Sequence, residues 1–190
     1  WLQRDFVHYY GCSPPDDMFL DQMQYTGSPI PKVVDALVLN KAETSIARWY
    51  TGVLTGPSTG TAVFRVRSDD GARLSVNGAV IVTNAGCTGE TTSAVKFEMT
   101  RGVQYDLEVR YFQQGEAAVL DVSWAPPKEG RSLSSSLDIS DAEFVSLDGA
   151  HSGVRTLPKS PARGGGLSAK SIGASVIKIR GGTIEGNRAQ

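Results

Sequence analysis

Apolar and polar residues alternate with a period of two over much of the first two thirds of the chain. Ala62, Phe64 and Val66 alternate with Val63, Arg65 and Arg67, Leu74 and Val76 with Arg73, Ser75 and Asn77, and Val95, Phe97 and Met99 with Lys96 and Glu98. Successive side chains of a strand point to opposite faces, so each segment predicts a half-buried β-strand with its apolar side turned to a core. Tyr105 to Phe112 and Leu120 to Trp124 read as further strands. The same pattern assigns Trp49, Phe97, Tyr105 and Trp124 to inward faces, where core packing is preferred to stacking on a ligand. Between Val76 and Ala79, Asn77-Gly78 tolerates positive φ at both turn positions and predicts a two-residue hairpin. Asp69-Asp70-Gly71 falls where one strand ends and the next begins.

The Asp pair is the most informative polar feature of the chain. Adjacent carboxylates repel each other unless a cation or a polar ligand bridges them. Calcium is the natural candidate, because it takes hard oxygen ligands from carboxylates, amides and backbone carbonyls in a flexible shell. Residue chemistry leaves a second reading open, in which Asp69 bonds its own turn as an Asx motif and Asp70 faces water.

Several short motifs occur in a fixed order: Trp49-Tyr50-Thr51-Gly52, Ser58-Thr59-Gly60-Thr61 before the Phe64 strand, the Asp-Asp-Gly segment, Tyr105 to Phe112, and Leu120 to Trp124. This order resembles the protective-antigen-type, or PA-fourteen, domain of bacterial toxins, fungal adhesins and glycosidases. The resemblance covers roughly Phe6 to Pro127 and is densest from Arg48 to Trp124. It implies an all-β fold, an antiparallel β-sandwich. In the lectin-like members, the yeast flocculins and related adhesins, the Asp pair is joined by a cis peptide and holds a calcium ion that in turn binds sugar hydroxyls. The resemblance therefore makes Asp69 and Asp70 the metal ligands. A second loop of those adhesins usually brings an Asn; here it reads Gln113-Gln114-Gly115-Glu116. The longer side chains shift the reach of that loop, and Gln113, Gln114 and Glu116 are the residues expected to shape a ligand site.

Composition adds the outer limits. With 190 residues, 21 Gly and 9 Pro, the chain suits a turn-rich all-β protein with one good-sized sandwich and a smaller attachment. No apolar run is long enough to span a membrane as a helix. Charge is unevenly placed. Residues 151–190 hold 7 basic and 1 acidic group, whereas residues 1–150 hold 12 basic and 19 acidic. The basic residues Arg155, Lys159, Arg163, Lys170, Lys178, Arg180 and Arg188 are spread out without interleaved aromatics, so they read as a solvated linker; an acidic neighbour or an anionic polysaccharide is the other reading, and nucleic acid is not expected.

Three segments follow from this texture: 1–127 as the sandwich, 128–170 as connecting strands and linker, and 171–190 as a separate piece. The stretch Pro158 to Gly166 cannot hold regular structure. Val176, Ile177, Ile179 and Ile184, broken by Gly181-Gly182, resemble the opening coil of a parallel β-helix, which needs further coils or a partner to bury its face. The chain thus reads as a piece of a longer surface protein.

Cys12 and Cys87 sit in predicted loops. A disulfide would tie the amino-terminal segment to the sheet and contribute about 4 kcal/mol in the chain-entropy model; two unrelated thiols are the alternative. The extracellular habits of the resembled family favour the bridge. Enzyme signatures fail on context. Gly56-Pro57-Ser58-Thr59-Gly60 matches a nucleophile elbow in letters, but a strand follows it where a helix is required, and only His8 and His151 are available as bases. Gly181 to Gly186 is followed by Asn187-Arg188 and is no phosphate loop. Asp69 and Asp70 share one loop and cannot flank a sugar from opposite sides as a glycosidase pair does. The expectation is a non-enzymatic, extracellular or cell-surface module that binds glycans with the help of calcium. The alternative is a structural module that docks to neighbouring subunits of a surface assembly.

Overall fold

A computed structural model describes residues 1–7, 30–37, 39, 43–115, 117–128, 139, 142–148 and 154. All of them belong to one unit, Trp1–Leu157. The expected linker from Pro158 and the β-helix-like coil of 171–190 lie outside the described residues, as do Cys12, Glu116, His8 and His151.

Among the described residues, ten strands make two antiparallel sheets. They are β1 (Leu2–Val7), β2 (Lys32–Val33), β3 (Ile46–Thr55), β4 (Gly60–Asp69), β5 (Ala72–Val76), β6 (Ala79–Asn84), β7 (Thr91–Met99), β8 (Gln104–Gln113), β9 (Val119–Ala125) and β10 (Val145–Ser146). The larger sheet has the order β2-β1-β3-β8-β5-β6 and the smaller β10-β9-β4-β7. No helix among the described residues is long and apolar enough to cross a membrane.

The core between the sheets is built by the predicted alternation. Phe64 and Val66 of β4, Leu74 and Val76 of β5, Leu107 and Val109 of β8 and Trp124 of β9 are all buried in one cluster. Each such side chain contributes about 1.5–3 kcal/mol through burial. Phe64 stacks on Trp124 at 5.9 Å between centroids and meets Phe97 edge to face at the same separation. The expected inward placement of Phe97, Tyr105 and Trp124 is thus observed. β10 pairs with β9, and Leu147 and Val154 join the core, so the sandwich draws on residues beyond Pro127.

Two side-chain expectations are corrected. Trp49 does not face the main core. Tyr50 and Leu54 take the inward positions of β3, and the period of two then sends Trp49 to the opposite face. There it packs beside Phe6, Ala47 and Phe112, with the guanidinium carbons of Arg4 and Arg110 at 5.1 and 4.9 Å from its ring. Nor does β5 show the solvent-facing side its pattern implies, since Arg73 and Ser75 are buried along with Leu74 and Val76. β5 runs between β8 and β6, and Arg73 and Ser75 lie in register beside Arg110 and Glu108.

The turns follow their residues. Asn77 and Gly78 have φ of 50° and 79° and join β5 to β6 as the predicted two-residue hairpin. Ser58 lies in the turn between β3 and β4, where its hydroxyl donates to the Pro127 carbonyl at 2.5 Å, the role of a turn residue and not of a nucleophile.

Candidate functional site

Three connections that pass from one sheet to the other converge at one end of the sandwich. They are β4 to β5 through Asp69-Asp70-Gly71, β6 to β7 through residues 85–90, and β8 to β9 through residues 114–118. The registers place them together: Ala72 pairs with both Tyr111 and Asn84, Asp69 with Val119, and Ser68 with Thr91. The segment 43–45 before β3 reaches the same rim, because Ser45 N donates to the Gln114 carbonyl at 3.1 Å and Ile46 pairs with Gln113. Ser45 has φ 53°, which turns the chain sharply into β3.

The Asp69–Asp70 peptide bond is cis. Asp69 is half-buried and Asp70 is 8% exposed. One oxygen of Asp70, Oδ2, accepts a hydrogen bond from Gln114 N at 2.9 Å, so the β8–β9 loop orients this carboxylate directly. Gly71 follows with no side chain because the Phe112 ring fills the space: a Cβ there would lie 2.1 Å from Phe112 Cε1.

Beneath the pair lies a row of polar residues that crosses the inner face of the larger sheet. It runs Asp5, Arg48, Tyr111 and Asn84 in register across β1, β3, β8 and β6, interrupted on β5 by the apolar Ala72. Tyr111 is wholly buried. Its hydroxyl donates to the Asp69 carbonyl at 2.5 Å and lies 2.9 Å from Gln113 Oε1. Burial, then the charges of Asp70 and Asp69, push the Tyr111 phenol well above its ordinary range. Both carboxylates are therefore close enough to act on it. On the other side of Ala72, Asn84 Nδ2 reaches Val66 O, Ser68 Oγ and Thr91 O at 3.3, 3.0 and 3.2 Å. Asn84 thus ties an edge strand of the larger sheet to two strands of the smaller one, just ahead of Asp69.

Asp5 and Glu43 are engaged by cations. Asp5 accepts from Lys32 Nζ at 2.8 Å and Arg48 Nε at 2.9 Å, and Arg48 also pairs with Glu43 at 2.7 Å. Burial works against the Arg48 charge, but Glu43, Tyr50 and Asp5 outweigh it and hold the guanidinium firmly protonated. Asp69 and Asp70 are the two adjacent acidic side chains that the β4–β5 connection brings to the rim.

Of the residues expected to shape a ligand site, Gln113 is wholly buried, and its amide is taken up by Tyr111 and by the Gly115 carbonyl, to which Nε2 donates. Its side chain supports the loop from below. Gln114 is half-buried and contributes its backbone to both Asp70 and Ser45. Glu116 lies outside the described residues. Cys87 packs on the outer cluster of Phe6, Ala47 and Phe112, with Sγ 3.2 Å from Gln114 Oε1; its expected partner, Cys12, lies outside the described residues.

The parity of Tyr111 with Tyr105, Leu107 and Val109 in the sequence agrees with its inward position. Asn84 and Arg48 carried no local signal, since an Asn after Thr83 and an Arg before a Trp are ordinary strand residues. Among the described residues no group of three or more His, Cys, Asp or Glu side chains is placed to hold a metal ion. A cation at the Asp pair would complete its shell from backbone and amide oxygens, water and ligand hydroxyls, a donor set that suits calcium. The carboxylates sit side by side on one loop, an arrangement unsuited to acid and base on opposite sides of a glycosidic bond.

The fold is shared with several solved structures. One is described as an anti-sigma factor domain-containing protein, with TM-score 0.61 and 14% identity over 85% of this chain. This chain spans 49% of that protein, about half its length. A PA14 sugar-binding domain from an RTX adhesin matches with TM-score 0.59 and 18% identity, covering 82% of this chain and 96% of that one. The PA14 domain of the antifreeze protein MpAFP matches with TM-score 0.56 and 10% identity, covering 81% and 88% respectively. Comparison with curated proteins returns no match. The family model of the PA14 domain matches residues 39–138, more than half of the chain and the whole stretch from β3 to β9 that builds this rim. The chain belongs to the PA14 domain family.

Proposed function

We propose that this PA14 domain is a glycan-binding adhesion module acting outside the cell, and that calcium held by Asp69 and Asp70 presents the sugar site. One observation carries the reading: two adjacent acidic side chains are held at a rim where three inter-sheet connections meet, with Asp70 oriented by Gln114 N. Nearby, Asp5 and Glu43 pair with Lys32 and Arg48. Family membership and the shared fold of the RTX adhesin sugar-binding domain support the choice of a saccharide as ligand. Calcium takes carboxylate, carbonyl and hydroxyl oxygens together, so a single ion links the pair to vicinal sugar hydroxyls. The same extracellular setting suits a Cys12–Cys87 bridge.

Thermal melting and glycan-array binding test the reading on the full chain with calcium, with chelator and with reductant. Calcium raises the melting temperature and enables glycan binding, and Asp70→Asn abolishes both effects. Reductant lowers the melting temperature if the bridge is present. A wild-type protein whose melting and glycan binding ignore calcium sinks the metal reading, and a calcium-bound protein that retains no glycan sinks the sugar reading.

A further inference from the structure

The calcium reading names the groups that would touch the ion, but the geometry below them identifies what holds those groups in place. Asp69 and Asp70 come from the β4–β5 connection, whereas the amide that orients Asp70 comes from the β8–β9 loop. These two segments are far apart in the chain, and a misplacement of one against the other would turn the Asp70 carboxylate away. The Tyr111 hydroxyl spans the gap. It donates to the Asp69 carbonyl at 2.5 Å and stands 2.9 Å from Gln113 Oε1, and Gln113 Nε2 passes the contact on to the Gly115 carbonyl. The single phenolic proton of Tyr111 is shared between the Asp69 carbonyl and Gln113 Oε1, and the Gln113 amide extends the link to the Gly115 carbonyl. Gln114, which carries the orienting amide, lies between the two residues the bracket holds. Tyr111 and Gln113 are both wholly buried, so water does not compete for the bond between their side chains, while the Asp69 and Gly115 ends of the bracket lie nearer the surface. Ser45 closes the far side by donating N and Oγ to the Gln114 carbonyl at 3.1 and 3.3 Å.

We propose that Tyr111, acting with Gln113, is a positioning residue for the Asp69–Asp70 site: its hydroxyl locks the β4–β5 connection to the β8–β9 loop, and so sets the geometry in which the Asp pair receives its cation. Neither side chain touches the ion. The proposal rests on the cation reading for its consequence, but the lock itself exists with or without metal, and the two are tested separately.

Tyr111→Phe removes the hydroxyl and keeps the ring in the core. Calcium affinity is measured by titration calorimetry, and exchange of the Gln114 amide is measured by NMR in chelator. Removal of a supporting group behind a metal ligand lowers affinity about 10–100-fold. Tyr111→Phe is therefore expected to weaken calcium binding by that factor and to speed Gln114 exchange, while the melting temperature in chelator moves by only about 2–4 °C. If the wild-type protein binds calcium, a variant with unaltered affinity or unaltered Gln114 exchange overturns the proposal. If the wild-type protein binds no calcium, the cation reading falls, and Gln114 exchange alone decides whether the lock is real. Gln113→Met cuts the bracket at its other end and takes the same measurements should Tyr111→Phe fail to fold.

Discussion

Asp70 and Gly71 show how closely spaced demands can fall on neighbouring residues. Asp70 supplies a carboxylate to the rim, and one residue later the backbone must pass under the ring of Phe112, the backbone N–H of which donates to the Gly71 carbonyl at 2.9 Å. The 2.1 Å approach that a Cβ at Gly71 would make to Phe112 Cε1 leaves no room for a side chain. Phe112 is itself packed against Phe6 and Ala47, so it cannot move freely. Gly71→Ala is expected to cost about 1–3 kcal/mol, the range for overpacking, and to lower calcium affinity as well because it displaces Asp70. Denaturant unfolding measures the first effect; a Gly71→Ala protein of unchanged stability would show that the ring yields. The need for Gly at this position was not legible in the sequence, where Asp-Gly reads only as a turn. Phe112 is 41 residues away along the chain, and only sheet pairing brings its ring there.

Among the elements, the β5–β6 hairpin is the most locally determined. Asn77 and Gly78 adopt the positive φ values their side chains tolerate, and the turn is tied to β8 by Asn77 N to Asp106 O and by Asp106 N to Asn77 Oδ1, both 2.8 Å. Nothing lies within 4 Å of a Cβ built at Gly78, so a substitution there meets a conformational penalty alone. Gly78→Ala is expected to destabilise the fold by about 1–2 kcal/mol, the cost of the left-handed region for an L-residue, without touching the rim at the opposite end. Chemical denaturation and calcium titration of the same variant check both halves of that statement. Strands β4 and β8 were also legible, since alternation states which side chains share a face. Which face meets the core is a different matter: for β3 it was Tyr50 and not Trp49, because two aromatic neighbours carry equal local weight and only the partner strands choose between them. For β5 the outward Arg73 and Ser75 were buried by a position between two strands that no local pattern encodes.

At the scale of the whole molecule, charge sets the pH range of the fold. Burial raises the Asp5 carboxyl, but hydrogen bonds from Lys32, Gln3 and Arg48 outweigh it and bring it below its ordinary value of 3.8. A depressed folded value means that the contribution of Asp5 is fully present above about pH 4 and is lost as pH falls through the lowered value. The Tyr50 phenol behaves in the opposite sense. Burial raises it above its ordinary value of 10.0 despite the pull of Arg48, so its contribution is present below about pH 10 and is lost as pH climbs beyond. Melting temperature against pH is expected to fall at both ends, and Asp5→Asn should flatten the acid side. An acid limb identical in Asp5→Asn and wild type would assign acid lability to other groups.

What the amino-acid order determined by itself was local and periodic. It set the strands with their alternating faces, the hairpin at Asn77-Gly78, the turn character of Ser58, and the presence of two acids at a strand junction, because each depends on sterics and side-chain direction within a few residues. The tertiary structure decided which distant groups meet those acids. Tyr111, Gln113, Gln114, Asn84 and Ser45 reach the rim through the registers of five strands and the crossing of three connections between sheets. Contacts of that kind are governed by the pairing of whole strands, and no window of neighbouring residues contains them.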